Sequence, residues 1–500
     1  MTTLHDETKS HVSFDETVKD QIELTTQSAD RAGGASPPLP LSEEELKRER
    51  VVVWKLDLYI APLIFLLQFV SNIDKGNIGF AATQGLLTDL HLKGNELNAA
   101  VSIFYVLYIC VEIPAALVVK RIGFYRFVPC IVGIWGLVCM CTGFVQSYGG
   151  LMTARLFLGA AEGCLFPSLS IFLLNWYRRE EMGVRIFLLF GAPAVAGAFG
   201  GLLAFAILHM DGVGGYPGWR WLYIIEGLIT IVVAFACIFI IPRSYESAYF
   251  LNDEDKRIMR RRAELAEAYS GGTGHYKWAD VKMALSDPKV FVSGIAQHAT
   301  ITILYGFGTF LPVIIKSGLG YSTVQAQYLT IPVFVWGTIV YFSVALMSDK
   351  LSNRFWPLMC LAPFMAAGYA VLLADTSSGV HYFATFLVAT GVYICAGINF
   401  SWLSSNSAPD GKRAASVGIQ QSMTQIAGVI SGQIYQSTRA PRYTLGHAYS
   451  LGCVGVAMIG WCAMRWILAS REKKKAEVRS SGQEWTRAWD DRAPDFKYLM

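Results

Sequence analysis

Arg155 and Glu162 stand seven residues apart in one apolar run. Seven helical residues turn by about 700°, about 20° short of two full turns, so both side chains leave nearly the same face, roughly 10 Å apart along the axis. A second charged pair, Asp74-Lys75, followed by Asn77, lies in another apolar run that continues to Leu87. An ionisable group at a bilayer centre costs at least about 2.5–3.5 kcal/mol on insertion scales, so such residues are strong functional pointers. Lys75 and Arg155 would attract a carboxylate, and arginine offers the planar fork that suits bidentate recognition. Glu162 and Asp74 compete for those cations and can be neutralised by protons. Protonating an acid frees a positive charge for an anion, so proton and anion would bind together. The plainer alternative from the same residues is a set of internal ion pairs that only hold helices in register.

Neutral polar groups dominate the second half of the chain: His298, Tyr305, Asn399, Trp402, Asn406, Gln420, Gln421 and Gln425. Gln421 and Gln425 are four apart and share a helical face. Amides and aromatic rings suit the non-ionic part of a small ligand, so Tyr305, Trp402, Asn406, Gln421 and Gln425 join Arg155 and Lys75 as candidate binding residues. Glu112 and Glu226 are acids in apolar runs without an evident partner and read as structural. No Walker A loop, HExxH, GxSxG or zinc-ligand spacing occurs, so neither an enzyme, a metal site nor a cofactor is expected.

The elements that must position these residues follow from composition. The 500 residues are 53% hydrophobic and 16% charged, against about 25% charged in soluble proteins. The charges cluster between apolar runs of about 20 residues, each long enough for a hydrocarbon core of about 30 Å. Twelve spans are predicted: 56–86, 97–119, 127–145, 151–176, 184–209 and 219–241, then 289–315, 327–347, 355–374, 381–404, 414–435 and 447–469. The fold class is therefore all-α and multi-pass: twelve transmembrane helices in two six-helix halves. Span five carries Pro193 among Gly191, Ala194, Gly197, Gly200 and Gly201, a composition for close helix approach or for rocking. The ten cysteines sit almost entirely in apolar segments without metal spacing.

Around the spans, residues 1–53 read as a disordered cytoplasmic tail, ending in a helical piece where Ser42 and Glu45 form a capping-box pattern. Residues 54–241 form the first half, 242–288 a central loop with a solvated basic helix, 289–470 the second half and 471–500 a basic tail. Lys120, Arg121 and Arg126, Arg178, Arg179 and Arg185, Lys350 and Arg354, and Lys412 and Arg413 follow the even-numbered spans, while the opposite loops hold little more than Lys93, Lys316, Arg439 and Arg442. By the positive-inside rule both termini and the central loop are cytoplasmic. The net charge of +4 is too small and scattered for nucleic acid. The expected partners are a lipid bilayer, a small organic anion and a proton, with the chain acting as a monomer.

Several stretches together resemble the major facilitator superfamily, in its anion:cation symporter branch, near the fungal allantoate, nicotinate and pantothenate permeases. They are Ser71-Asn72-Ile73-Asp74-Lys75-Gly76-Asn77-Ile78-Gly79, Pro114 with Lys120-Arg121-Ile122-Gly123, and Arg155-Leu156-Phe157-Leu158-Gly159-Ala160-Ala161-Glu162. Gly218-Trp219-Arg220-Trp221 with Glu226-Gly227, Trp278 with Asp287-Pro288, and Ser348-Asp349-Lys350 add to them, as does the ending Asp495-Phe496-Lys497-Tyr498. The resemblance, over about residues 50 to 470, implies the major facilitator fold and proton-coupled uptake of a carboxylate across the plasma membrane. It puts proton coupling on Asp74 and Glu162, anion binding on Arg155, and gate-locking roles on Asp349, Lys350, Lys120 and Arg121. The chain departs from the family pattern at Lys75, where arginine is common, at Gln425, where asparagine is frequent, and at Lys120, where an aspartate is usual. An exporter of a cellular metabolite and a ligand sensor without transport are the competing readings. The imperfect span-five pattern disfavours the first, and the lack of room for a signalling domain disfavours the second.

Overall fold

A computed structural model describes residues 42–178, 181–269, 278–351, 353–481, 490–494 and 496–499, with the side chains of a few helical residues excepted. Among the described residues the regular structure is helix, with no strand. The first half comprises α1 (Glu43–Thr83), α2 (Glu96–Ile122), α3 (Phe124–Thr142), α4 (Tyr148–Glu162) with α5 (Leu165–Trp176), α6 (Met182–Ile207) and α7 (Gly218–Ile240). Between the halves lie α8 (Asp253–Tyr269) and α9 (Trp278–Leu285). The second half is α10 (Pro288–Val313), α11 (Thr323–Leu351), α12 (Phe355–Leu373), α13 (Ser378–Ser405), α14 (Asp410–Ile434) and α15 (Thr444–Ser481). Counting α4 and α5 as one crossing interrupted at Gly163, each half supplies six.

Ten of these crossings are long and apolar enough by composition to traverse a membrane. The other two, α2 and α14, have 27 and 25 residues and sit in the matching second and eleventh places. α14 carries Ser416, Gln420, Gln421, Ser422, Thr424 and Gln425, which lower its apolar character. Prolines lie inside α1, α2, α3, α6, α10, α11 and α12, and neighbouring helices can re-satisfy the backbone groups they release.

The capping box forms as expected: Ser42 N donates to Glu45 Oε2 (2.8 Å) and Glu45 N to Ser42 Oγ (3.3 Å). It opens α1 itself, since the helix runs unbroken from Glu43 into the first span. The start of α1, through Tyr59, and residues from Ser244 onward in the central loop make one compact unit. There Asp255 binds Arg48 (2.7 Å) and Lys55 (2.5 Å), and Tyr59 stacks on Phe250 with ring centroids 4.7 Å apart. The expected basic surface helix is α8.

The remaining residues, Ile60–Arg243 and Tyr276–Met500, form the second unit, which holds the rest of both halves. Its far end, opposite the end where the chain crosses between halves, is sealed by hydrogen bonds across them. Asn98 Nδ2 donates to the carbonyls of Gly432 (2.7 Å) and Tyr435 (2.9 Å), and Gln433 Nε2 to Ser102 Oγ (2.7 Å). Lys316 Nζ donates to Thr83 O (2.6 Å) and Gln327 Nε2 to Thr83 Oγ1 (2.6 Å). Gly79 lets α1 and α10 touch backbone to backbone, because a Cβ there would overlap the Thr309 carbonyl. The small residues of α6 act similarly: Cβ atoms at Gly191, Gly197 and Gly201 would run into Tyr341, Phe334 and Thr330 of α11. Span five is thus a close-packing face directed at the other half.

The C-terminal segment is an integral part of the second half. α15 extends twelve residues past the expected span end, to Ser481, and residues from Asp490 fold back against the helix ends. Asp287 and Asp491, both fully buried, bind Lys289, Lys412 and Arg471. Lys475 Nζ lies 3.6 Å from the centre of the Tyr498 ring and donates to Phe496 O (2.7 Å).

Candidate functional site

Residues 74 and 75 are neighbours on α1, so their side chains diverge by about 100° and serve different surroundings. Lys75 points towards α2 and α4. Its Nζ stands 3.6 Å from Glu162 Oε2 and 4.9 Å from the centre of the Tyr108 ring. Ser71, one helical turn earlier, donates to the same glutamate oxygen (3.0 Å). Glu162 is wholly buried, and its second oxygen, Oε1, has no hydrogen-bond partner. Arg155, two turns before Glu162 on α4, reaches Tyr223 OH of α7 (3.4 Å), while its Nε is buried without a partner.

Two cavities meet at Lys75, and Arg155 lines the smaller of them. One of about 210 Å3 is lined by Lys75, Arg155, Tyr105, Phe104 and Thr309 among others. A larger one, about 500 Å3, is bounded by Lys75, Asn72 and Phe80 from α1, Tyr105 from α2, Pro193 and Gly197 from α6, Tyr305 from α10, Phe334 from α11 and Tyr393 from α13. Its walls come from both halves and include five aromatic rings, with those of Tyr105 and Tyr305 5.2 Å apart. Tyr305 OH donates to Gln425 Oε1 at 3.5 Å, a contact at the outer limit of hydrogen bonding.

Asp74 faces the other way, into α3 and α7. It accepts from Trp135 Nε1 (2.5 Å), Cys139 Sγ (3.4 Å) and Asn77 Nδ2 (3.3 Å), and the same asparagine nitrogen donates to Glu226 Oε2. Glu226, read from sequence as structural and partnerless, therefore shares an amide with Asp74. The three-residue spacing of Asp74 and Asn77 was a visible sign of a common face. Nothing local marked Trp135, Tyr223 or Tyr105, because aromatic residues in an apolar run look alike until helices pack.

The expected binding set is divided by the structure. Lys75, Arg155 and Tyr305 line the cavities, Glu162 adjoins Lys75, and Gln425 touches Tyr305. Gln421 lines neither cavity, and its buried Oε1 has no hydrogen-bond partner. Trp402 and Asn406 are elsewhere: both donate to the Leu499 carbonyl (2.9 and 2.8 Å), and Asn406 Oδ1 accepts from Leu499 N (2.7 Å). Neither lines either cavity. They dock the C-terminal segment, a partner some 90 residues away that local pattern does not reveal. Among the expected gate residues, Arg121 is exposed at the end of α2; the side chains of Lys120, Asp349 and Lys350 lie outside the described residues.

A bundle of twelve membrane-length helices, with charged and aromatic residues converging on a cavity between its halves, defines a multi-pass membrane transporter. The Major Facilitator Superfamily profile matches residues 64–432, and the chain belongs to that superfamily. It is 42% identical over 454 residues, 91% of each chain, to a transporter of Schizosaccharomyces pombe described as uncharacterized. It is 30% identical over 484 residues to the high-affinity nicotinic acid transporter of Saccharomyces cerevisiae, covering 95% of this chain and 88% of that one. Among solved structures, a bacterial homolog of the human lysosomal transporter Spinster, inward-facing and unoccupied, superposes with a TM-score of 0.61 at 15% identity. It covers 85% of this chain and 98% of that one.

Proposed function

We propose that this transporter couples uptake of a small organic carboxylate to protons. The observation that carries the reading is the position of Lys75: it borders both cavities, yet its only charged contact among the described residues is a buried glutamate 3.6 Å away whose other oxygen lacks a partner. Such a contact is loose for a buried ion pair, where full compensation needs close, saturated hydrogen bonding. A proton on Glu162 removes the competitor for Lys75, which can then take the substrate carboxylate. Arg155, at the smaller cavity, supplies the second positive charge. Proton and anion each favour binding of the other, which is reciprocal linkage and gives symport.

The five aromatic rings lining the larger cavity suit a flat ring. Together with the resemblance to a nicotinic acid transporter, this makes nicotinate the first substrate to test, with pantothenate and allantoate beside it. Tyr305 and Gln425 then meet the non-ionic part of the substrate, and Gln421 lies beyond reach until helices move. The orientation expected from loop charges puts both termini in the cytoplasm and the hydrogen-bonded far end outside, in the plasma membrane of a monomeric protein. Asp349, Lys350, Lys120 and Arg121 lock the cytoplasmic gate, between a first half of residues 54–241 and a second of 289–470.

The test is uptake of the three labelled acids into proteoliposomes with and without an inward proton gradient. Gradient-driven accumulation of one of them is expected, with Glu162→Gln abolishing accumulation but retaining exchange of substrate for substrate. Accumulation that ignores the gradient, or that survives Glu162→Gln unchanged, overturns the reading.

A further inference from the structure

The site behind α1 is short of one donor. Asp74, Asn77 and Glu226 are all but sealed from solvent, at 1%, 0% and 3% exposure. Asp74 is well supplied with donors, from Trp135, Cys139 and Asn77. It is the member fitted to carry negative charge, since donors aimed at a carboxylate stabilise the ionised form. Among the described residues Glu226 has a single donor, the amide it shares with Asp74. Its Oε1 and the Oδ1 of Asn77 are both buried acceptors without a partner. Two orphaned acceptors and two carboxyls around one amide make a cluster with too many acceptors, and buried polar atoms are rarely left so. Among the described residues no cationic side chain pairs with it: Lys75 is directed to Glu162 and Arg155 bonds to Tyr223.

We propose that Asp74, Asn77 and Glu226 form a second proton-binding site, in which Glu226 carries the proton and Asp74 the charge. Protonation forms one O–H bond on Glu226 and supplies the donor the cluster lacks, while removing the second negative charge. The ionisable groups facing the cluster are Cys139 of α3, Arg155 of α4 and Tyr223 of α7, with the Lys75–Glu162 pair on the cavity side of α1. Of these only Arg155 is a cation directed towards it, and its guanidinium is engaged with Tyr223. The site lines neither cavity, so its proton does not compete directly with substrate. This deepens the proton-coupled reading by adding a second proton site, but its occupancy requires no substrate.

The probe is the proton itself. Infrared difference spectra of the full-length protein in lipid, recorded across pH in water and in heavy water, report a protonated carboxyl through its C=O stretch. The wild type should show such a band at neutral pH, and Glu226→Gln should remove it with the helical amide band unchanged. Asp74→Asn removes the neighbouring negative charge, so the Glu226 band should disappear at a lower pH than in the wild type. Glu162→Gln should leave the band in place. Persistence of the full band in Glu226→Gln, an unmoved midpoint in Asp74→Asn, or loss of the wild-type band on adding sodium chloride at constant pH overturns the proposal. If uptake proves independent of protons while the band behaves as described, the transport reading fails and this site stands. If uptake is proton-driven and the band is missing, the reverse holds.

Discussion

Two groups of buried charges divide the molecule, one midway along the first half and one at the helix ends of the second. In the second, Asp287 Oδ1 accepts from Arg471 (2.6 Å) and Oδ2 pairs with Lys412 (2.8 Å), while Asp491 meets Lys289 and Lys412 and accepts from Tyr498 OH (3.3 Å). Every carboxylate oxygen there has a cation. In the first, Lys75 and Glu162 stand 3.6 Å apart with an orphaned oxygen, and among the described residues the hydrogen-bond partner of Arg155 is a tyrosine. Residue types are the same in both places; the degree of saturation differs. A saturated cluster holds chain segments together, since every charge is already answered. An unsaturated one beside a cavity has capacity left for a ligand and a proton.

The contrast is broken most directly at the cations. Arg155→Ala or Lys75→Ala should weaken anion binding by on the order of 100-fold, the usual effect of deleting one member of a buried charge pair, with little change in melting temperature. Binding of labelled nicotinate to purified protein, read beside thermal unfolding, would check this; normal affinity would place the anion elsewhere. Asp491→Ala should do the opposite. It leaves Lys289, Lys412 and Arg471 facing Asp287 alone, a loss of about 3–5 kcal/mol on the scale for broken buried pairs. Thermal unfolding should register it while proton-coupled exchange persists.

Gly79→Val tests the seal between halves. The added side chain must push α1 from the Thr309 carbonyl, at a cost of about 1–3 kcal/mol for overpacking. Spin labels at positions 98 and 433 should report a longer mean separation than in the wild type. Acidity sharpens the contrast at the helix ends. Burial raises the Asp491 carboxyl, but the Lys289 and Lys412 charges outweigh it and hold it below the ordinary carboxylate range; Asp287 is held low in the same way by Arg471, Lys289 and Lys412. A depressed carboxyl contributes stability that is complete above its unfolded value, about pH 4, and is lost as pH falls through the folded value. Melting temperature should therefore stay level down to about pH 4 on account of this cluster and drop below it, less steeply in Asp491→Asn. The smallest effect belongs to Tyr305→Phe, which removes one long hydrogen bond to Gln425 and should alter substrate affinity by about tenfold at most.

Much of this architecture was legible residue by residue. Apolar length and loop charge marked the twelve crossings, because an unpaired backbone in hydrocarbon leaves a chain few alternatives to helix. The face shared by Arg155 and Glu162 followed from helical geometry alone. Lys75 was visible as an intramembrane charge, though not its choice of Glu162 over Asp74. The Leu499 contacts of Trp402 and Asn406 were not legible, for a physical reason: a buried polar side chain looks the same whether it awaits a ligand or a distant carbonyl.

What the amino-acid order determined by itself, then, is local and periodic: which segments cross, which faces carry charge, where Ser42 caps a helix. Pairing was decided only by packing. Asn77 joining Asp74 to Glu226, 149 residues on, and Asp491 closing over Lys289 and Lys412 depend on which helices become neighbours. That choice is made by summed van der Waals fit and hydrogen bonding over whole helix faces, which no short window of sequence contains.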